Sequence, residues 1–232
     1  MSRLVVAALL AGGVAASAAA NVLVVRSSGP SAKSYPAGRS LPDNARITLR
    51  DGDTLVVLDS RGTRTFRGAG TYSAAATTTA GVRTTQNDGR RARVGAVRSA
   101  GIVPASPATI WQVDVSQSGN MCVTNAGNLM LWRPDAAQAS TLTIAGPGGS
   151  RTVQWPAGRA TVAWPNDLTI ASGGEYALSQ PGVAVPSRIT FRTLANAPAD
   201  MQGVAQALLA AGCQEQLDLL VDSAPQEEVA TN

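Results

Sequence analysis

Three carboxylates, Asp51, Asp53 and Asp59, fall within one short stretch of the chain, and paired carboxylates perform acid/base work when burial raises one of their pKa values. Each also sits in a turn, where aspartate is favoured because its side chain bonds nearby backbone. A calcium site built from the same three side chains lacks the one-in-two spacing of oxygen ligands. The run Gly146-Pro147-Gly148-Gly149-Ser150 lacks the Gly-Lys-Ser/Thr ending and the following helix of a phosphate cradle, and reads as a hairpin turn. Lys33 is preceded three positions earlier by Pro30, so a local Ser-x-x-Lys pair is absent. A Ser-Lys dyad assembled across space, or an atypical carboxylate site, stays open as a hydrolase reading. The 232 residues include no histidine, which removes His-based acid/base catalysis, Ser-His-Asp and Cys-His nucleophiles and His-containing zinc sites. No cofactor is expected.

Two further groups are candidates for binding. Arg83, Arg90, Arg91, Arg93 and Arg98 form the densest basic cluster, fit for an anionic surface or for a solvated linker. All four tryptophans (Trp111, Trp132, Trp155 and Trp164) lie in the second half, and Trp155 and Trp164 are each followed by proline. Exposed indoles stack on sugars or anchor partners, with core packing as the competing role. The net charge of +4 is too small to imply nucleic-acid binding. Its distribution is uneven: residues 21–104 hold 13 basic and five acidic side chains, and residues 105–232 hold five and ten. The halves should attract each other, a second copy, or an anionic envelope polymer.

The elements that would position these groups begin with residues 1–20, which read as a signal peptide: Arg3, the apolar Leu4 to Val14, and Ala18-Ala19-Ala20 at the cleavage point. The alternative is an uncleaved anchor, since the low-polarity run Leu4 to Val25 could span a bilayer. After cleavage no membrane span is expected, and the location is periplasmic or secreted. In that oxidising compartment Cys122 and Cys213 read as a disulfide, against two buried free thiols.

Abundant Gly and Pro (23 and 13) with many Thr, Ser and Val favour short strands. The expected fold is mainly β: two small β-sandwich or β-roll domains and a short C-terminal α-helical hairpin. Residues 21–81 form the first β domain, 82–108 an Arg-rich linker, 109–195 the second β domain, 196–223 the helices, and 224–232 a disordered tail. Ile47 and Leu49 alternate before Asp51-Gly52-Asp53, and Leu55 and Val57 after it, which predicts a hairpin. A second turn, Asp59-Ser60-Arg61-Gly62, leads into Thr63 to Arg67. Leu55 to Phe66 aligns without a gap on Leu142 to Val153, suggesting an internal duplication. Met201, Val204, Ala205, Leu208 and Ala211 recur at helical spacing between a capping Asp200 and Gly212. Leu217, Leu220 and Val221 mark a second helix, and a Cys122–Cys213 bridge would staple this hairpin to the second β domain.

Gly38-Arg39-Ser40-Leu41, the segment Ile47 to Asp59 and Gly70-Thr71-Tyr72 together resemble the FecR-like extracytoplasmic domain, with its "I-x-L-x-D-G-D-x-L-x-V-L-D" core. The match covers about 40 residues. It implies a non-enzymatic exported binding or interaction module that serves envelope sensing or assembly, with a protein partner in the envelope that is bound to the membrane. FecR regulators also carry a cytoplasmic segment and a membrane span, which this chain lacks after its signal. The alternative reading is an envelope polysaccharide or peptidoglycan binder.

Overall fold

A computed structural model describes residues 21–75, 106–124, 127, 129–194 and 198–229. The signal segment and the cluster Arg83, Arg90, Arg91, Arg93 and Arg98 lie outside the described residues. Among these residues the fold is mainly β, with two helices near the C-terminal end.

The first β unit contains β1 (Asn21–Ser28), β2 (Ser40–Pro42), β3 (Arg46–Leu49), β4 (Thr54–Asp59), β5 (Gly62–Arg67) and β6 (Gly70–Ser73). β1 and β4 pair antiparallel at the centre of one sheet, flanked by β2 and β5. β3 and β6 form a second, two-stranded sheet. Val22, Val24, Leu55 and Val57 pack with Ile47, Leu49, Phe66 and Tyr72 in one core. The alternate residues Leu23, Val25, Val56 and Leu58 face the other way and join a core with the helices. Burial on both faces is why these two strands read as near-continuous apolar runs.

The expected hairpin around Asp51-Gly52-Asp53 is not formed. β3 pairs with β6, and β4 pairs with β1 and β5, so the turn is a corner at which the chain changes sheet. The Asp53 carboxylate fixes that corner by accepting the Ser31 N–H (2.9 Å) and the Arg50 N–H. The β4–β5 hairpin, in contrast, forms where the second turn was expected.

The second β unit contains β7 (Gln112–Asp114), β8 (Gly119–Val123), β9 (Met130–Trp132), β10 (Ser140–Gly146), β11 (Gly149–Trp155), β12 (Thr161–Ala163), β13 (Glu175–Ser179) and β14 (Ser187–Thr193). Its sheets run β11-β10-β13-β14-β8 and β12-β9-β7. Leu142, Ile144, Tyr176 and Phe191 from the larger sheet meet Val113 and Leu131 from the smaller in a shared core.

The two hairpins suggested as a duplication do coincide in register. Leu55 faces Phe66 and Asp59 faces Gly62; at the aligned positions Leu142 faces Val153 and Gly146 faces Gly149. Their neighbours differ: β4 pairs next with β1, which precedes it, and β10 with β13, which follows it.

The helices are α1 (Met201–Ala211) and α2 (Gln214–Ser223). Asp200 caps α1 by accepting the Gly203 N–H at 2.8 Å, and Gly212 ends it in the left-handed conformation. The Cys122–Cys213 disulfide forms, with the Cα atoms 5.9 Å apart. It ties the helical joint to β8, while Ala205, Leu208, Leu217 and Val221 pack on β1 and β4. The hairpin therefore joins both β units instead of serving the second alone.

The tail expected to be disordered is ordered over four residues. β15 (Gln226–Val229) pairs in parallel with β5. Composition marks this acidic stretch as solvated, but the β5 edge offers unpaired backbone groups. The Thr63 N–H donates to the Pro225 carbonyl at 2.8 Å, and Val229 packs against the first core.

Candidate functional site

Where α2 crosses the edge of β8, two anchors converge. Cys213 starts the helix with the disulfide, and Gln216 lies one turn on, buried against the strand. The Gln216 Oε1 accepts the Cys122 N–H at 2.6 Å, while its Nε2 donates to the carbonyls of Cys122 (3.0 Å) and Ile110 (2.7 Å). β8 ends its sheet, so this side-chain amide pairs with backbone groups that another strand would otherwise seek. The segment leading into β7 is thereby held beside α2.

Between these elements lies a groove of about 240 Å³. Ile110, Val113, Met121, Ile189 and Leu219 give it an apolar lining, and Gln112, Gln117 and Asn120 add amides. Asp114, Glu215 and Asp222 also line it, and among the described residues that line it none is basic. Asp222 and the nearby Asp218 are paired with Arg26 of β1 at 2.8 and 2.7 Å. The Asp114 carboxylate accepts from Ser116 N–H and Oγ at 2.9 and 2.6 Å. Partial burial, followed by repulsion from Asp114 and Asp218, pushes the Glu215 carboxyl above its ordinary range. The groove thus has a negative rim and an apolar floor, a composition suited to holding a ligand.

On the far side of Gln112 is a second cavity of about 380 Å³, lined by Trp111, Val123, Leu129 and Met130. Trp111 is half-buried. Trp155 and Trp164, offered as possible binding residues against a core-packing role, take the core role, at 2% and 4% exposure. Each donates its indole N–H to the carbonyl four residues on, Arg159 and Leu168, both at 2.8 Å. The following proline turns the chain back over the ring, with Arg159 N–H bonding Pro156 and Leu168 N–H bonding Pro165. Arg133 covers Trp155 at 5.0 Å, and Trp164 meets Tyr176 and Phe191 edge-on. Neither ring is available for stacking.

The carboxylates first considered for chemistry do not converge. Asp53 is bound to its corner. Asp59 accepts Arg61 N–H at 2.7 Å and pairs with Arg64 at 2.9 Å. Asp51 is exposed, as is Lys33 in a short 3-10 turn. Among the described residues no group of three or more Asp, Glu or Cys could hold a metal ion, and no helix is long and apolar enough to cross a membrane.

The charge asymmetry has a structural counterpart. Arg26 with Asp218 and Asp222, and Arg67 with Glu228 at 3.3 Å, join the basic half to the acidic one. The reading in which the halves attract each other is realised at these pairs. Sequence reasoning singled out neither Glu215 nor Asp114, 101 positions apart, and only the Cys122–Cys213 pair signalled that their segments meet. No family model, no curated protein and no solved structure matches the chain.

Proposed function

We propose that the chain is a non-enzymatic, exported FecR-like binding module that engages a membrane-bound protein partner in envelope sensing or assembly. The observation that carries this reading is the groove between α2 and the β7–β8 region, apolar within and acidic at its rim, held by a disulfide and a buried amide. A braced groove lowers the ordering cost of binding. The disulfide is compatible with an oxidising compartment, and the FecR-like residues of β3, β4 and β6 supply the exported-module expectation.

The test is photo-crosslinking in intact cells from position 219 in the groove, with position 152 on exposed β11 as control. The expected result is one protein adduct from position 219 alone, in the periplasmic or membrane fraction. Absence of that adduct, or recovery of the protein in the cytosol with both thiols alkylatable, overturns the reading.

A second reading, an envelope-polysaccharide or peptidoglycan binder, is favoured by half-buried Trp111 beside the second cavity and the amide of Gln112 between the two. Retention on purified peptidoglycan at low and high salt, lost on Trp111→Ala, supports it; no retention removes it.

A further inference from the structure

Among the described residues the groove's lining carries acid groups and no base, and one of those acids, Asp222, is already paired with Arg26 of β1. Arg26 is bonded through Nε to Asp218 and through Nη1 to Asp222, both at 2.8 Å. The Glu215 carboxylate, one turn earlier, makes no hydrogen bond or ion pair among the described residues and lies over Gly119 of β8. Asp114 of β7 lines the same groove, near enough for the two charges to repel. These two carboxylates come from different elements and repel each other across an opening floored by Met121, Ile189 and Leu219. A cation placed between them replaces that repulsion with attraction, and the low-dielectric floor strengthens it.

The shape narrows the occupant further. An isolated metal ion would want a dense shell of oxygen ligands, whereas this lining is largely apolar and contributes side-chain amides along its length. A peptide segment that alternates basic and aliphatic residues matches both features, since its aliphatic side chains enter the floor while guanidinium or ammonium groups reach the rim. Arginine fits best, because its planar fork meets carboxylates in a bidentate manner.

We infer that the groove between α2 and the β7–β8 region binds an extended, arginine-bearing segment of the protein partner, with Glu215 and Asp114 receiving its cationic side chains. This rests on the reading of the chain as a binding module and names the chemistry of what it binds.

The test uses the full oxidised protein and short fluorescent peptides that alternate leucine with arginine, serine or glutamate. The arginine peptide is expected to bind at least about tenfold more tightly than either other peptide at low salt, with the advantage shrinking as salt rises. Glu215→Gln combined with Asp114→Asn should abolish that preference, while Asp167→Asn combined with Glu175→Gln, an equal charge change outside the groove, should leave it. Unchanged thermal melting and an intact disulfide separate loss of binding from loss of fold. Leu219→Lys supplies an independent block of the floor.

Equal binding of all three peptides, or equal loss in both double variants, overturns the inference. So does binding that emerges only after Arg83, Arg90, Arg91, Arg93 and Arg98 are replaced by serine, because the occupant would then be this chain's own segment. If position 219 still crosslinks a partner in cells while the arginine peptide fails, the binding-module reading survives and the basic-segment inference falls. Failure of both removes the two together.

Discussion

Gln216 bonds both backbone groups of Cys122, the residue whose sulfur is joined to Cys213 three positions before Gln216 on the chain. One strand residue is thus held twice by one helical turn, once covalently and once by an amide that imitates a neighbouring strand. Removing the amide leaves the buried Cys122 N–H and two carbonyls without partners. Gln216→Ala should cost about 2–4 kcal/mol, as a few unsatisfied buried groups at roughly 1–3 kcal/mol each partly recover water. Urea unfolding checks it. The disulfide closes a loop of 91 residues, for which the chain-entropy model gives about 4–5 kcal/mol. Combining Gln216→Ala with Cys122→Ser and Cys213→Ser should give a non-additive cycle, because both restraints hold the same contact. Strict additivity would show that they act on separate ones.

Asp53 should make the first β unit acid-sensitive. Burial alone would push its carboxyl up, but hydrogen bonds from the Ser31 side chain and from the Ser31 and Arg50 backbone, with the Arg50 charge, hold it below the ordinary value of 3.8. A carboxyl whose folded pKa is depressed stabilises the fold above its unfolded pKa, and the contribution disappears as pH falls through the folded one. Thermal melts should therefore drop more steeply below about pH 3.8 in the natural protein than in Asp53→Asn, which should be less stable at neutral pH. Parallel curves for the two would contradict the role given to this carboxylate.

Much of the architecture was legible because it depends on local period. The helical spacing from Met201, the Asp200 cap and the Gly212 stop all appear where a chain must begin and end a helix. Alternation also marked the inward residues of β3 and β4 correctly, yet it specifies a face and not a partner, so it paired the two strands across Asp51-Gly52-Asp53 when each belongs to a different sheet. β14 was not singled out as a strand although Ile189 and Phe191 alternate in it, while β9 has three residues and is too short to show a period. The groove was not legible, since it requires residues on β7, β8 and α2 that only tertiary contacts bring together. Trp155 and Trp164 left two roles open for a related reason: tryptophan type announces a large contact area without saying whether protein or ligand supplies the other side, and here the protein supplies it.

The tryptophans should respond differently to substitution. Trp164 packs edge-on with Tyr176 and Phe191 and has its indole N–H satisfied by Leu168. Trp164→Ala should cost about 3–5 kcal/mol, the range for removing a buried large aromatic. Trp132 is as deeply buried, but its indole nitrogen has no hydrogen-bond partner among the described residues. Trp132→Phe removes an unsatisfied donor along with some volume, so the two effects should offset to within about 1 kcal/mol. Comparable large losses at both sites would show that the Trp132 N–H is in fact satisfied.

Glu215 should carry the opposite pH signature to Asp53. Its carboxyl is raised above the ordinary 4.5, first by burial and then by Asp114 and Asp218, while Asp222, further along the same face of α2, is paired with Arg26 of β1. An acid with a raised folded pKa imposes no cost below its unfolded value and an increasing one as pH rises through the folded value. Glu215→Gln should raise the melting temperature at neutral pH and have no effect below about pH 4.5. A melting temperature unchanged by this substitution at neutral pH would remove the repulsion from the picture.

The strand at the end of the described chain depends on Gly62, 163 positions before Pro225: Gly62 has φ +142°, and a Cβ there would collide with the Pro225 carbonyl oxygen, which accepts the Thr63 N–H. Any side chain at position 62 must push the Pro225 carbonyl off Thr63 and open the β5–β15 ladder at its first bond. Gly62→Ala should therefore cost about 1–3 kcal/mol from the backbone conformation, and beyond that should detach Gln226–Val229. Limited proteolysis distinguishes the two effects. If β15 is held as described, the variant loses its C-terminal residues to carboxypeptidase far faster than the natural protein, whereas Glu228→Gln, which removes only the exposed pair with Arg67, changes that rate little because such pairs contribute about 0–1 kcal/mol. An equally resistant tail in Gly62→Ala would mean that the ladder, not the close approach at position 62, decides where the chain ends.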